Sequence, residues 1–497
     1  MANFTVTTLS DEASDTGLSL REAIGLANTN ATDDTITFAS DLAGGTVFLT
    51  QGQLGIVRNL IIDGDIDNDG TADITISADS VAGADDATSR VMEITDGSNT
   101  TVSVTLDGLV IRDGRATFGA GISISQEEAL TLINSALLDN DAGSFGGGII
   151  GSEGSSITLI NSTLAGNTAG SSGGGMIAGA AITLINSTVS DNSAGFNGGG
   201  IVSDFGSTLT LINSTMSGNT AGNDGGALAV SENITATLLN STLSGNSAGR
   251  NGGGLIGFSH SSITLNNSTV SGNSAGDSGG GISGHDETTI VVTNSIVAGN
   301  AAADSGPDLH GGPFDAADLT FTGGNVFGSA PHNVSATGAP TVLIDGSSQA
   351  DLETVFAAVG LNPHTGILSG VLADTGGPVE TFAIAQGGVA HNAGDDTVLP
   401  ADAQDLDHDG VTDEPLPFDA RDLARVINRV VDIGAFEIQN SDPTVIFNDA
   451  LTVSEGASGT IRQTALFFID AEETDITYTI TSLPGSGMLF LGGTALM

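Results

Sequence analysis

The chain has no cysteine, no lysine and no tryptophan, and a single tyrosine in 497 residues. Without cysteine there is neither a disulfide nor thiolate chemistry. Stability must then come from packing, hydrogen bonding and, in so acidic a chain, bound metal. The ten basic residues are all arginines and face 59 acidic ones, a net charge of −49. That balance excludes general affinity for nucleic acid or anionic membrane, which need basic surface. It suits a particle that attracts cations, calcium above all. No apolar run reaches the roughly 18 residues of a membrane-spanning helix. The start, Met1-Ala2-Asn3-Phe4-Thr5, lacks the basic region and apolar core of a secretory signal, so either another export signal or an incomplete chain is expected. The seven histidines stand singly, with no H-x-H or H-E-x-x-H, which argues against a transition-metal site. No G-x-S-x-G, P-loop or dinucleotide fingerprint occurs. Acidity can signal disorder, but 39% apolar content with β-branched periodicity points to a packed chain.

What the chain does have is a beat. Asn-Ser pairs recur at Asn134, Asn161, Asn186, Asn213, Asn240, Asn267 and Asn294, separated by 27, 25, 27, 27, 27 and 27 residues. Six residues after each comes a second asparagine, from Asn140 to Asn300, and then in all but the last a glycine cluster such as Gly173-Gly174-Gly175. A fixed period of this size means stacked units that bury their apolar faces against one another. Runs of Ile, Leu, Val and Thr broken by Gly, Asn and Ser read as short strands and tight corners, and no window carries a helical stripe long enough for a helical repeat. The fold expected is all-β: a parallel β-helix with one coil per repeat, three short strands to the coil, and about 4.8 Å between coils. An eighth coil is expected before the first, with Asp107 in the place of Asn134 and Gly119-Ala120-Gly121 in that of Gly146-Gly147-Gly148. The asparagines and glycines read as structural, the former as stacked amide ladders and the latter as corners. Phe118, Phe145 and Phe196 precede or neighbour glycine clusters; stacking within the coils is preferred over an exposed strip for sugars.

Along the chain, residues 1–100 read as an N-terminal cap and first coils, 101–335 as the β-helix, 336–439 as an irregular C-terminal cap region, and 440–497 as a linker and truncated module. The open end of a β-helix exposes strand edges and must be covered. Leu18-Ser19-Leu20-Arg21-Glu22-Ala23-Ile24-Gly25-Leu26-Ala27-Asn28 is the best helical candidate for that plug, with Leu20, Ile24 and Ala27 on one face. Arg421, Arg425 and Arg429 among Asp419, Asp422 and Asp432 read as ion pairs locking the terminal coil. The tail falls short of the roughly 100 residues of a β-sandwich, so the natural protein is expected to continue past Met497.

Two segments share the spacing D-x-D-x-D-G-x-x-D. They are Asp65, Asp67, Asp69, Thr71 and Asp73 in one, and Asp405, Asp407, Asp409, Val411 and Asp413 in the other. Alternating carboxylates can converge on one ion where Gly allows a sharp turn, and the residue after Gly can add its carbonyl. Hard oxygen donors in that number select Ca²⁺. The Glu at position 12 of an EF-hand is missing, since Ile76 or Leu416 stands there. These ten residues are the expected metal ligands, Ca²⁺ the expected cofactor; no catalytic residue is assigned.

The GGG[IM] and S-G-N-[ST]-A elements resemble repeats of bacterial polymorphic outer-membrane proteins and other right-handed β-helix surface proteins. Leu18-Ser19-Leu20-Arg21-Glu22-Ala23 resembles the CSLREA motif, with Leu18 in place of Cys. Thr375-Gly376-Gly377-Pro378 with Asp419-Ala420-Arg421 and Asp432-Ile433-Gly434-Ala435-Phe436-Glu437 is similar to a choice-of-anchor C-terminal region. The segment from Val453 to Gly459, with Thr479 to Gly485, resembles the start of a cadherin-like or chondroitin-sulfate-proteoglycan-type repeat. The resemblance implies a right-handed parallel β-helix with N- and C-terminal caps and a partial β-sandwich-like tail, in a secreted or cell-surface bacterial protein. The function expected is a calcium-supported, acidic stalk or adhesin whose partners are extracellular glycans or cell-surface components, with no membrane insertion by this chain. The alternative is a polysaccharide lyase or glycoside hydrolase on the same scaffold. A lyase needs a base beside its metal, and a glycosidase needs two carboxylates about 5–9 Å apart. The regular coils offer little of either, so the enzyme reading is the weaker one.

Overall fold

The computed structural model describes residues 2–439, apart from 13–15, 31, 84–86, 98–100, 205, 286, 313–315 and 428–429, together with tail strands at 444–448, 466–469, 489–491 and 494–496. Residues 1–438 and 439–497 are two separate units.

The first unit is a right-handed parallel β-helix. Its strands stack into sheets of 13, 12, 10 and 8 strands, every neighbour within them parallel, as at Ser156–Ile160 on Ala181–Ile185. One coil shows the plan: Ser156–Ile160, Thr163–Ala165, Thr168–Ala169 and Met176–Ala178. The regular coil thus has four strands, not the three expected. The extra one is only two residues long and sits between a Gly-Asn corner and the glycine cluster, too short to show as a β-branched run. Within each strand alternate residues enter the core, so Ile157, Leu159, Leu164 and Met176 are fully buried. A single apolar cluster runs from Val6 to Phe327.

The corners explain the repeated residues. Asn134 and its six successors all take the left-handed conformation, φ 44° to 51°, which Asn tolerates better than most residues. The second asparagine of each coil is buried. Its amide Nδ2 donates to the Oδ1 of the next coil's Asn at 2.9–3.0 Å, and that Oδ1 also accepts the preceding Asn's backbone N–H, as Asn219 does from Asn192 at 3.1 Å. The glycine clusters lie where coils approach most closely: a Cβ on Gly147 would sit 2.2 Å from the Gly174 carbonyl oxygen. The eighth coil exists, but its register differs from expectation. Asp107 pairs with Ile133, and Gly108, φ 61°, takes the corner where Asn134 stands. That coil is one residue shorter, and a bulge restores the offset before Phe118 pairs with Phe145. Those two rings stack, centroids 5.9 Å apart, while Phe196 stands exposed outside the stack, its backbone N–H bonded to the Ser171 carbonyl.

The N-terminal plug is helix α1, Leu20–Thr29, with Leu20, Ala23, Ile24 and Ala27 buried. Ser19 and Glu22 form a reciprocal capping box, which satisfies two orphan N–H groups. Arg21 holds Asp11 at 2.7 and 3.0 Å and donates to the Gly52 and Gln53 carbonyls.

Beyond Leu343 the chain turns back along one edge of the rod. Leu352, Val355, Phe356, Phe382 and Ile433 pack on Ile296, Ala298 and Val326. Polar tethers continue toward earlier coils: Asn294 to the Asp395 carbonyl, Thr242 to Thr381, and Asn213 and Asn186 to the Asp422 carboxylate at 3.1 and 3.2 Å. The tail unit contains two antiparallel pairs, Thr444–Asn448 with Leu466–Ile469 and Leu489–Leu491 with Thr494–Leu496. The tail segments likened to cadherin-type repeats lie outside the described residues.

Candidate functional site

In a regular coil the first and second strands meet at a short Asn-Ser corner. Between Leu60–Asp63 and Ile74–Ser77 the same corner is expanded to residues 64–73, and this is the first acidic turn. Asn68 and Gly70 take positive φ, 58° and 79°, curling the chain so that backbone N–H groups point at the carboxylates. Gly70 N–H donates to Asp65 at 3.0 Å, Asp69 N–H to Asp67 at 3.3 Å, and Thr71 N–H to Asp69 at 2.9 Å. The second turn repeats the pattern. His408 and Gly410 take φ 58° and 85°. Gly410 N–H donates to Asp405 at 3.0 Å, Asp409 N–H to Asp407 at 3.2 Å, and Val411 N–H to Asp409 at 2.8 Å.

The carboxylates that converge differ. In the first turn Asp65, Asp67 and Asp73 each bring an oxygen within 4.8 Å of the others. Asp69 stands outside, its Oδ1 taken by the Thr71 N–H and hydroxyl. In the second turn Asp405, Asp407 and Asp409 converge, and so do Asp402, Asp407 and Glu414. Asp413 is exposed and belongs to neither group. Asp402 and Glu414 were missed by spacing alone. They are joined by a backbone pairing, Asp402 N–H to the Glu414 carbonyl at 2.8 Å, which no alternation within the turn reveals.

Burial, and behind it the neighbouring carboxylates, raises the pKa of three acids around these turns. Burial, with Asp65 nearby, raises the pKa of Asp63. Burial and the charges of Asp63 and Asp65 do the same for Asp107. Glu414 is raised by desolvation and then by Asp409, Asp407, Asp402 and Asp405.

The first turn heads the outward asparagine row. Asn134 donates to Asp107 at 3.2 Å and Asn161 to Asn134 at 3.4 Å. Asn186 breaks the row by turning to Asp422, which leaves its buried Oδ1 without a donor. Between the turn and the returning C-terminal segment lies a polar groove of about 600 Å³, bounded by Gly70, Pro378 and Asp422 and floored by Asn134, Asn161, Asn186, Thr163 and Thr188. Thr188 also borders a second groove of about 360 Å³, lined by Asp191, His364, Glu380, Leu361 and Val371. There His364 Nδ1 stands 3.5 Å from Asp191.

Of the arginine cluster, Arg421 pairs with Asp419 at 2.6 and 2.9 Å and lies over the Phe436 ring. Arg425 is fully buried and donates to the Asp432 and Gly434 carbonyls. Arg429 lies outside the described residues. Two guanidiniums thus share a buried nest with Asp419, Asp432 and Glu437. One carboxylate is in excess, and burial pushes Glu437 up to about 8. These arginines tie the returning segment to itself, since Asp419, Asp432, Gly434 and Glu437 all belong to it.

No protein family matches this chain, and no curated protein and no solved structure is significantly similar to it.

Proposed function

We propose that the chain is part of a secreted or cell-surface bacterial protein: an acidic β-helix stalk, supported by Ca²⁺ at its two acidic turns, that binds extracellular glycans or other surface components. One observation carries the reading. Two turns far apart in the chain share the same three N–H to carboxylate bonds and positive φ at their fourth and sixth positions, and each brings three carboxylates together. Such gathering is unfavourable among bare carboxylates and favourable around a hard cation. The resemblance to β-helix surface proteins agrees with it. Support for a glycan partner comes from the groove beside the first turn, whose amides and hydroxyls repeat at the coil spacing of about 4.8 Å and suit hydroxyl-rich ligands. Calorimetry with Ca²⁺ should show binding by the wild-type chain and its loss, turn by turn, in Asp67→Ala and Asp407→Ala. Unchanged binding in both variants would sink the calcium assignment. A glycan array probed with and without chelator tests the partner; silence under both conditions would leave only a spacer role.

A second reading, a polysaccharide-active enzyme, has one observation in its favour: Asp191 and Glu380 line the same groove as His364. Paired carboxylates in a cleft are what glycoside hydrolysis uses. Incubation with uronic-acid and neutral polymers, followed by ultraviolet absorbance and reducing-sugar assays, separates the two. Any turnover abolished by Glu380→Gln would replace the adhesive reading.

A further inference from the structure

We propose that Asp402, Asp407 and Glu414 bind a divalent cation, Ca²⁺ by the chemistry of its donors, at a position separate from the one enclosed by Asp405, Asp407 and Asp409. The proposal rests on the reading of the acidic turns as calcium loops and adds a site made by residues outside their shared spacing.

The argument begins with Asp402, which is 1% exposed. Its Oδ2 accepts the Leu406 N–H at 2.7 Å. Its Oδ1 is buried and has no hydrogen-bond partner. The Oε1 of Glu414 is likewise buried and unpartnered. Oxygens of these two residues and of Asp407 lie within 4.8 Å of one another. A buried carboxylate oxygen without a donor is costly, and two side by side add like-charge repulsion. A cation between them removes both costs. The span fits: oxygens bound to Ca²⁺ at 2.3–2.6 Å lie at most about 5 Å apart across the ion. All the donors are carboxylate oxygens, which select a hard ion over Zn²⁺ or Cu²⁺.

The backbone holds the pair in place without the ion. Ala401 bridges Pro415, and Leu416 N–H donates to the Pro400 carbonyl at 2.8 Å, so the two ends of the segment arrive together. Asp407, exposed in the turn, belongs to both acidic groups, as a bridging carboxylate can. The ion would therefore fasten the turn to the base of its own hairpin.

Calorimetric titration of the full, chelator-treated chain with CaCl₂ is the test. Asp402→Asn and Glu414→Gln keep shape and remove charge; each should bind one ion fewer than the wild type, or bind it at least about tenfold more weakly. A melting series gives a second readout. In chelator, both variants should melt at or above the wild-type temperature, because a buried charge is gone. In Ca²⁺ they should gain less than the wild type. If both bind the wild-type number of ions at wild-type affinity while Asp65→Asn and Asp409→Asn each lose one, this site is wrong and the calcium turns stand. If the wild-type chain binds no Ca²⁺, both fall.

Discussion

The corner at Asn161-Ser162 and the corner at residues 64–73 join the same two sheets of the same rod, one by an amide and one by a set of carboxylates. An amide carries a donor and an acceptor, so identical copies stack indefinitely, each Nδ2 meeting the next Oδ1. A carboxylate only accepts. Stacked on itself it repels, and its neighbours pay: Asp63 and Asp107, next to the first turn, both have raised pKa values from burial and adjacent charge. Repetition therefore belongs to asparagine, and the acidic turns stand where the repeat is interrupted. The buried row obeys the same logic at its far end. Asn300 donates backbone and side-chain N–H to Asp308, and a carboxylate there closes the row because it has no N–H to pass on.

The sharpest way to break this comparison is to remove an amide from the middle of the buried row. Asn219 accepts from the Asn192 amide at 3.0 Å and donates to Asn246 at 2.9 Å and the Val189 carbonyl at 2.8 Å. In Asn219→Ala those partners lose their bonds inside the core, at roughly 1–3 kcal/mol for each group left unsatisfied. Denaturant titration should show a loss of at least about 3 kcal/mol. The outward Asn161→Ala should lose only about 1 kcal/mol, chiefly from placing Ala in a left-handed corner. Equal losses in the two variants would mean that the two rows do not differ in the way proposed.

A smaller effect follows from the acids that end or border the ordered rows. Burial raises Asp308 to about 6 and Glu437 to about 8. A folded-state pKa above the unfolded value means that the folded state holds the proton more tightly. That stability is complete below the unfolded pKa and is lost as pH rises through the folded one. In Ca²⁺-free buffer the melting temperature should therefore fall as pH rises from about 4 to 8. Asp308→Asn should remove the part between about 4 and 6, and Glu437→Gln the part reaching to about 8. Both variants should match the wild type at the acid end and exceed it at pH 8. Melts that stay parallel at every pH would show that these carboxyls are not the cause.

Much of this was legible in the chain, and the boundary is instructive. The spacing of Asn140 through Asn300 announces a buried ladder, because a chemical group that repeats once per coil must stack. Leu20, Ile24 and Ala27 announce the plug by helical period. What escaped depends on small shifts or on pairing across distance. The two-residue strand Thr168–Ala169 carries no hydrophobic signature. Asp107 continues the beat at 27 residues in the sequence, yet a coil one residue shorter puts Gly108 in that corner. Asp402 and Glu414 meet only because Ala401 bridges Pro415. The arginine cluster reads correctly as ion pairing at Arg421 and Asp419, but nothing in its spacing says that the segment lies along the flank, beside Asn186 and Asn213.

The smallest expected effect joins the two kinds of corner. Asp107 sits between them: it feels the charges of Asp63 and Asp65 and accepts the Asn134 amide. Asp107→Asn keeps the acceptor for Asn134 and removes one of the crowded charges. In chelator the variant should gain about 0.5 kcal/mol or less, as expected for a partly exposed charge. In Ca²⁺ the gain should vanish, because an ion held by Asp65, Asp67 and Asp73 already offsets that repulsion. Paired melts of wild type and variant, with and without Ca²⁺, measure the difference. A gain that persists unchanged in Ca²⁺ would mean that the charges crowding the head of the asparagine row are not the ones the first acidic turn gathers for its ion.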